Sequence, residues 1–245
     1  MEDIKQLPGY IRVEIWGDRA LFTRPEFKIE RQSFDCPTPS ALRGILQAIY
    51  WHPYLDYEVR RITVLNPIRF DAMTCNELDF KLSSSQVKKA MDAAEKGVPV
   101  LPLVVPRCAT RQQRLSRFLV DVHYVVEAVI VPAVQNKTRE PFDLEKALQI
   151  FKRRVSKGAC YYTPYLGIRE FTANFAWKRY KNKPCVSVYD GTVVDLGIMF
   201  YDYDYTDCTK DKGPRPYFFH PRMVDGVIDV PRREEVIGYV AGSIG

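Results

Sequence analysis

Apolar and polar residues alternate cleanly at the start of the chain. In "YIRVEIWG" (Tyr10 to Gly17), Ile11, Val13 and Ile15 alternate with Arg12, Glu14 and Trp16, the period of a half-buried strand. A loop follows, rich in Arg, Lys and Phe. The pattern then changes to a helical one in "TPSALRGILQAIYWHP". Leu42, Ile45, Leu46 and Ile49 form one apolar stripe, Thr38 is a natural N-cap, Pro39 suits the first helical position, and Pro53 closes the segment. "YEVRRITVLNPIRF" predicts a second strand. Asp71 to Cys108 is polar and dotted with proline; it is expected to be an insertion holding a short helix at "SQVKKAMDAAEKG" and a short strand at "VPVLPLVVP". "RFLVDVHYVVEAVIVP" predicts a long strand. Phe118, Val120, Val122, Tyr124, Val126, Ala128 and Ile130 lie on one face of it, and Asp121, His123 and Glu127 on the other. "DLEKALQIFKRRVSKG" predicts a second long helix, capped by Asp143 and closed by Gly158, and "GIREFTANFAW" another strand.

The order strand–helix–strand–strand–helix–strand predicts an α+β fold of ferredoxin-like (βαββαβ) type, shared by RNA recognition motifs. From about Tyr180 short strands and turns take over, with Asp190-Gly191 and Asp225-Gly226 as hairpin signals. The expected domains are therefore 1–179, ferredoxin-like with the insertion at 71–108, and 180–245, small, antiparallel and β-rich.

Composition narrows the class. The 245 residues are 46% hydrophobic, enough for a substantial core. Lys and Arg number 36 against 30 Asp and Glu, a formal net charge of +6, and the excess is clustered. Arg107, Arg111, Arg114 and Arg117 have no acid among them; Lys146, Lys152, Arg153, Arg154 and Lys157 follow in the second helix. Together with Arg24, Lys28 and Arg31 in the Phe-bearing first loop, they point to a polyanion, nucleic acid first. The six cysteines have no C-x-x-C spacing and no histidines at zinc-finger spacing, and no signal peptide or membrane-length apolar run is read. A cytoplasmic protein with reduced thiols, no metal, no cofactor and no membrane partner is expected.

Several ordered blocks carry a resemblance. They are "WGDRALFTRPEFKIERQSFDCPTPSALRGILQAIYWHP", "RQQR", "DVHYVVEA", "FKRRVSKGACYYTPYLGIREF" and "DLGIMFYDYDY". The chain resembles the Cas five family of CRISPR-associated RAMP proteins, subtype I-C, the "d" variant. The resemblance implies a prokaryotic protein that binds the repeat hairpin of precursor CRISPR RNA. It cuts that RNA without metal, and remains on the 5′ handle in the interference (Cascade) complex, beside the backbone subunits and the large subunit. It also implies a catalytic Tyr at the end of the first helix and an adjacent Lys-His pair at the start of the second. The Tyr falls on Tyr50 and the Lys on Lys146, while Ala147 stands at the His position.

Metal-free RNA cutting needs a base for the 2′-OH proton, an acid for the leaving 5′ oxygen and a cation for the phosphorane. Unperturbed Tyr and Lys titrate near ~10 and ~10.4, so Lys146 suits charge stabilisation better than proton transfer. His52, two residues after Tyr50, is the best substitute for the missing imidazole; His123 and His220 are expected to be structural or surface groups. By the helical wheel Tyr50 lies with Arg43 and Gln47, turned away from the apolar stripe, and Ala147 lies at the edge of the second helix's apolar side. The RNA-binding set is Arg24, Lys28, Arg31, Arg43, Arg111, Arg114, Arg117, Arg153 and Lys157. The competing reading is a non-cutting structural subunit that caps the 5′ handle.

Overall fold

The computed structural model describes residues 4–27, 30–78, 83–99, 111–133, 141–177, 186–205, 208 and 213–236. Its elements are β1 (Tyr10–Ala20), β2 (Arg31–Gln32), α1 (Pro39–Ile49), β3 (Leu55–Val64), β4 (Phe70–Leu78), α2 (Ser84–Glu95), β5 (Arg111–Pro132) and α3 (Leu144–Lys157), followed by β6 (Asn174–Trp177), β7 (Val193–Asp195), β8 (Met199–Asp204), β9 (Arg215–Phe219), β10 (Arg222–Val224) and β11 (Val227–Asp229). The chain divides into two compact units. One is Met1–Asp71 with Arg117–Gly245, and the other is Ala72–Ser116.

α1 and α3 begin as their cap residues dictate, and α3 ends so too. The Thr38 hydroxyl accepts the Ala41 N–H at 3.2 Å, and Pro39 occupies the first turn, where its missing N–H costs nothing. The Asp143 carboxylate accepts the Lys146 N–H at 3.0 Å, and Gly158 closes α3 at φ +63°, a conformation that a Cβ disfavours. Leu42, Ile45, Leu46 and Ile49 of α1 and Phe151 and Val155 of α3 are buried together with Ile11, Val13 and Ile15 of β1. Burial of a side chain of this size contributes roughly 1.5–3 kcal/mol, so this shared layer is the main source of stability in the larger unit.

The sheet of that unit runs β6-β1-β5-β3-β11-β10-β7, and β2 pairs β5. The β1–β5, β1–β6, β3–β5, β3–β11, β10–β11 and β7–β10 pairs are all antiparallel, and β8 and β9 form a separate antiparallel ribbon. The Asp225-Gly226 turn has both residues at positive φ, as a tight hairpin with the native twist requires, and it joins β10 to β11. Asp190-Gly191 makes a turn closed by Thr192 N–H to Tyr189 C=O, rather than a hairpin between paired strands.

Three strand expectations are corrected. "YEVRRITVLNPIRF" is a strand only to Val64, where β3 ends; Pro67 has no N–H for a ladder, and β4 begins at Phe70. "GIREFTANFAW" is a strand only over β6; Gly167 at φ +88° and a turn closed by Phe171 N–H to Ile168 C=O precede it. In β5 the face opposite the apolar one is buried beyond His123, although Asp121 stays exposed. Asp121 sits at φ +53°, and Leu119, Val125, Glu127 and Val129 are covered. The Glu127 carboxylate accepts the Tyr10 hydroxyl and lies 3.7 Å from both Arg12 Nε and an Arg61 guanidinium nitrogen. A buried carboxylate is tolerated when cations and donors surround it in this way.

The smaller unit holds α2, which buries none of its residues; β4 pairs β5. The strand expected at "VPVLPLVVP" lies almost wholly outside the described residues.

Candidate functional site

Tyr50 is the C-cap of α1. Its backbone has left the helix (φ −146°, ψ 118°) while its N–H still donates to Leu46 C=O. The helical wheel therefore stops applying one residue too early for the expectation made above. The ring does not face outward with Arg43 and Gln47. It is 6% exposed and belongs to the core.

Its surroundings are polar enough to hold a phenol. The Tyr50 and Tyr54 hydroxyls are 3.2 Å apart. The Tyr57 hydroxyl donates to Tyr50 C=O at 2.6 Å, and the Arg154 guanidinium lies 5.4 Å from the Tyr50 ring centroid. The same guanidinium donates to Ile49 C=O at 3.0 Å, satisfying a carbonyl that the end of α1 leaves without an intrahelical partner. Burial, then the neighbouring Tyr50 and Asp56, hold the Tyr57 phenol well above the ordinary range, against the pull of Arg154. Tyr57 is therefore a protonated donor at neutral pH.

His52 is drawn into the same cluster. Its ring is 3.9 Å from that of Tyr54, tilted by 41°, and Tyr54 meets Phe142 edge-on at 5.9 Å. Contacts thus run from Arg154 in the last turn of α3 through Tyr50 and Tyr54 to Phe142, just before the helix begins. Lys146, exposed in the first turn, is eight residues from Arg154, about 12 Å along the axis at 1.5 Å per residue. The cation on Tyr50 is Arg154, a residue whose role the pattern did not single out. Ala147 is not at the edge of the apolar side. It is 0% exposed, in line with Phe151 and Val155.

The expected RNA-binding residues divide by what surrounds them. Arg43 is held by Asp202, at 2.5 and 2.9 Å through two guanidinium nitrogens, with Asp56 at 3.7 Å. Arg24 lies 3.7 Å from Glu26 and from Asp35, over the Phe34 ring. Arg31 is half-buried in β2. Arg117 is exposed but stacked on Phe70 at 4.3 Å. Arg153 and Lys157 stand exposed on the outer face of α3, and among the described residues neither they nor the Lys146 ammonium has an ion pair. Arg114, in the smaller unit, donates to Gln112 at 3.2 Å. Lys28 and the Arg111 side chain lie outside what the structure describes.

The other two histidines are engaged elsewhere. His123 Nε2 is 2.7 Å from Glu14 and His220 Nε2 is 2.6 Å from Asp195. The Gly197 N–H and His220 hold the Asp195 carboxyl below the usual carboxylate range.

With this geometry in hand, residues 10–231 match the family described as CRISPR-associated protein (Cas_Cas5). The chain belongs to the Cas5 family. It is 43% identical over 223 residues to a CRISPR pre-crRNA endoribonuclease Cas5d from Mannheimia succiniciproducens, covering 90% of this chain and 94% of the relative. A protein of the same name from Thermus thermophilus is 38% identical over 236 residues, covering 90% and 91%. Among solved structures, the crystal structure of a CRISPR-associated protein aligns with a TM-score of 0.63 at 25% identity, covering 93% of this chain and 94% of that one. A functionally uncharacterized Streptococcus mutans protein shares the fold at a TM-score of 0.62 and 24% identity, over 93% and 94%. The mixed α/β architecture with a mostly antiparallel sheet is shared with these structures. No helix among the described residues of this Cas5 chain is long and apolar enough to cross a membrane.

Proposed function

We propose that this Cas5 chain is an endoribonuclease that cuts the repeat of precursor CRISPR RNA and then holds the 5′ handle. The observation that carries the proposal is the Tyr50 hydroxyl, 3.2 Å from that of Tyr54 at the junction of α1 and α3, with Arg154 over the Tyr50 ring and the His52 ring against Tyr54. The relatives named as pre-crRNA endoribonucleases supply the substrate. In the reaction, the 2′ oxygen attacks the adjacent phosphorus and its proton passes to a base. The bond from phosphorus to the 5′ oxygen breaks, and that oxygen takes up a proton. A 2′,3′-cyclic phosphate and a 5′-OH result. We assign Tyr50 to the proton-transfer centre, with His52 as substitute imidazole. Lys146 is assigned to charge stabilisation, in the first turn of α3, where the helix dipole favours an anion. The metal-free character of the step comes from the family resemblance.

The fold reading belongs to the same proposal. The order β6-β1-β5-β3, with α1 between β1 and β3 and α3 between β5 and β6, supports a ferredoxin-like domain over 1–179 with its insertion near 71–108. Residues 180–245 are proposed as the small β-rich domain, and Arg153 and Lys157 as phosphate ligands. Arg24, Lys28, Arg31, Arg43, Arg111, Arg114 and Arg117 complete the proposed RNA-binding set. The partners are the Cascade backbone and large subunits, and the site is the prokaryotic cytoplasm.

One observation favours the second reading, a structural cap that does not cut. Ala147 is buried where the family pattern has histidine, so the pattern's imidazole has no counterpart on the surface of α3. Labelled repeat RNA incubated with the purified protein in EDTA separates the two. A product ending in a 2′,3′-cyclic phosphate, slowed by Tyr50→Phe and by Lys146→Ala with affinity retained, is expected. No product at excess enzyme would leave only the cap.

A further inference from the structure

Three large aromatic side chains stand in solvent where α1 ends. Trp51 follows the C-cap directly and is 57% exposed; Tyr161 is 83% exposed and Tyr162 46%. They come from segments more than a hundred residues apart in sequence. The Tyr161 N–H donates to Ala48 C=O at 2.7 Å, which ties the loop after α3 to the last turn of α1. The backbone beneath these rings is therefore anchored, although the rings themselves are open. The Tyr161 and Tyr162 centroids are 6.1 Å apart with planes at 77°, so the pair forms a corner rather than a closed stack.

Two further features surround this corner. Tyr161 follows Lys157 by four residues, past the Gly158 cap that ends α3, whose exposed residues include Arg153 and Lys157. On the other side, Tyr162 and Tyr165 wall a slot of about 200 Å³ against Ala41, Gly44 and Ala48 of α1. That volume is several times the ~30 Å³ share of one liquid water and below the ~300–1,000 Å³ of drug-sized pockets, a size for one planar ring. Exposed aromatic rings forgo the burial that usually stabilises them, and an RNA base presents a π-face of matching size. Cations for the backbone beside rings for the bases is the pattern of single-strand binding.

We infer that Trp51, Tyr161 and Tyr162 form a stacking platform for unpaired bases of single-stranded RNA, whose flanking phosphates lie on Arg153 and Lys157. The inference rests on the RNA-processing reading above, and it adds a base-binding subsite to the proposed centre. The platform takes any base, because stacking reads a face rather than an edge. It discriminates against duplex RNA, whose bases are already stacked.

The test measures anisotropy of a short, labelled, unstructured RNA and of a duplex of equal length, in EDTA. Tyr161→Ala and Tyr162→Ala are expected to weaken single-strand binding by roughly 5- to 100-fold each. Tyr161→Phe should bind within about twofold of the parent, since the ring is what stacks. Melting temperature and duplex affinity should not move. RNA should quench tryptophan emission in the parent and much less in Trp51→Phe. Alanine variants that bind single strands as tightly as the parent would overturn the platform, as would a Phe variant as weak as the Ala variant. A parent protein that binds no RNA would overturn the RNA reading itself. A parent that binds with a steep salt dependence beside equally tight alanine variants would overturn the platform alone.

Discussion

Arg43 on α1 and Arg153 on α3 look alike in the sequence. Each is a helical cation opposite an apolar stripe, and each was expected to meet phosphate. In the structure Arg43 is gripped by Asp202, 159 residues away, and neighboured by Asp56. Arg153 is exposed with no ion pair among the described residues. A cation already paired with a carboxylate attracts a polyanion less than an open one, so of these two proposed phosphate contacts Arg43 is expected to contribute less than Arg153, for a reason that local pattern does not contain. Asp202 also accepts from the Ser40 hydroxyl at 3.2 Å. The cluster joins the start of α1 to the β8–β9 ribbon, while the outer face of α3 is left for a ligand.

The contrast can be broken by substitution. Asp202→Ala should have the largest effect, a loss of about 2–3 kcal/mol in urea unfolding. That is below the ~3–5 of a fully buried pair, because the Arg43 side chain keeps 22% of its exposure. A stability within 0.5 kcal/mol of the parent would mean that the pair does not hold the ribbon to α1. Ala147→His comes next and probes the inner face of α3. Forcing an imidazole into a fully buried alanine site should cost roughly 1–3 kcal/mol, with no gain in cutting rate. A faster, undiminished enzyme would show that position 147 reaches the site after all.

Gly44→Ala should stabilise by up to about 1 kcal/mol, because a Cβ there meets nothing within 4 Å and the helix gains propensity. A destabilised variant would mean that the slot beside Gly44 has no room for a methyl group. Arg153→Ala should change stability by less than ~0.5 kcal/mol. It should make the logarithmic dependence of RNA affinity on salt shallower by about 0.7. An unchanged slope would place the RNA elsewhere.

The legible part of this protein was its local grammar. Thr38-Pro39 and Asp143…Gly158 mark helix ends with side chains that satisfy specific N–H and C=O groups, and those bonds form within four residues. Alternation in β1 is equally local. Tyr50 was misread for an instructive reason: it is the first residue outside α1, and a wheel drawn through it assigns a direction that its extended backbone does not have. The burial of Glu127 is not legible in the alternation of β5, because Tyr10, Arg12 and Arg61 cover it from β1 and β3. Arg154 could have been suspected from its place in the basic run, but nothing nearby in sequence shows that it caps a different helix.

The sequence by itself determined the caps that start α1 and bound α3, the alternation of β1, the asymmetry of charge and, through its ordered blocks, the family. Those signals rest on neighbours three or four residues apart, or on the identity of residues in order. Only the tertiary structure decided which arginines are open and which are paired, that Ala147 is core, and that Arg154 lies on Tyr50. It also decided that Trp51, Tyr161 and Tyr162 share one end of α1. Each of these depends on which distant carboxylate, carbonyl or ring the fold brings within about 3–6 Å, the range over which ion pairs, hydrogen bonds and ring contacts act.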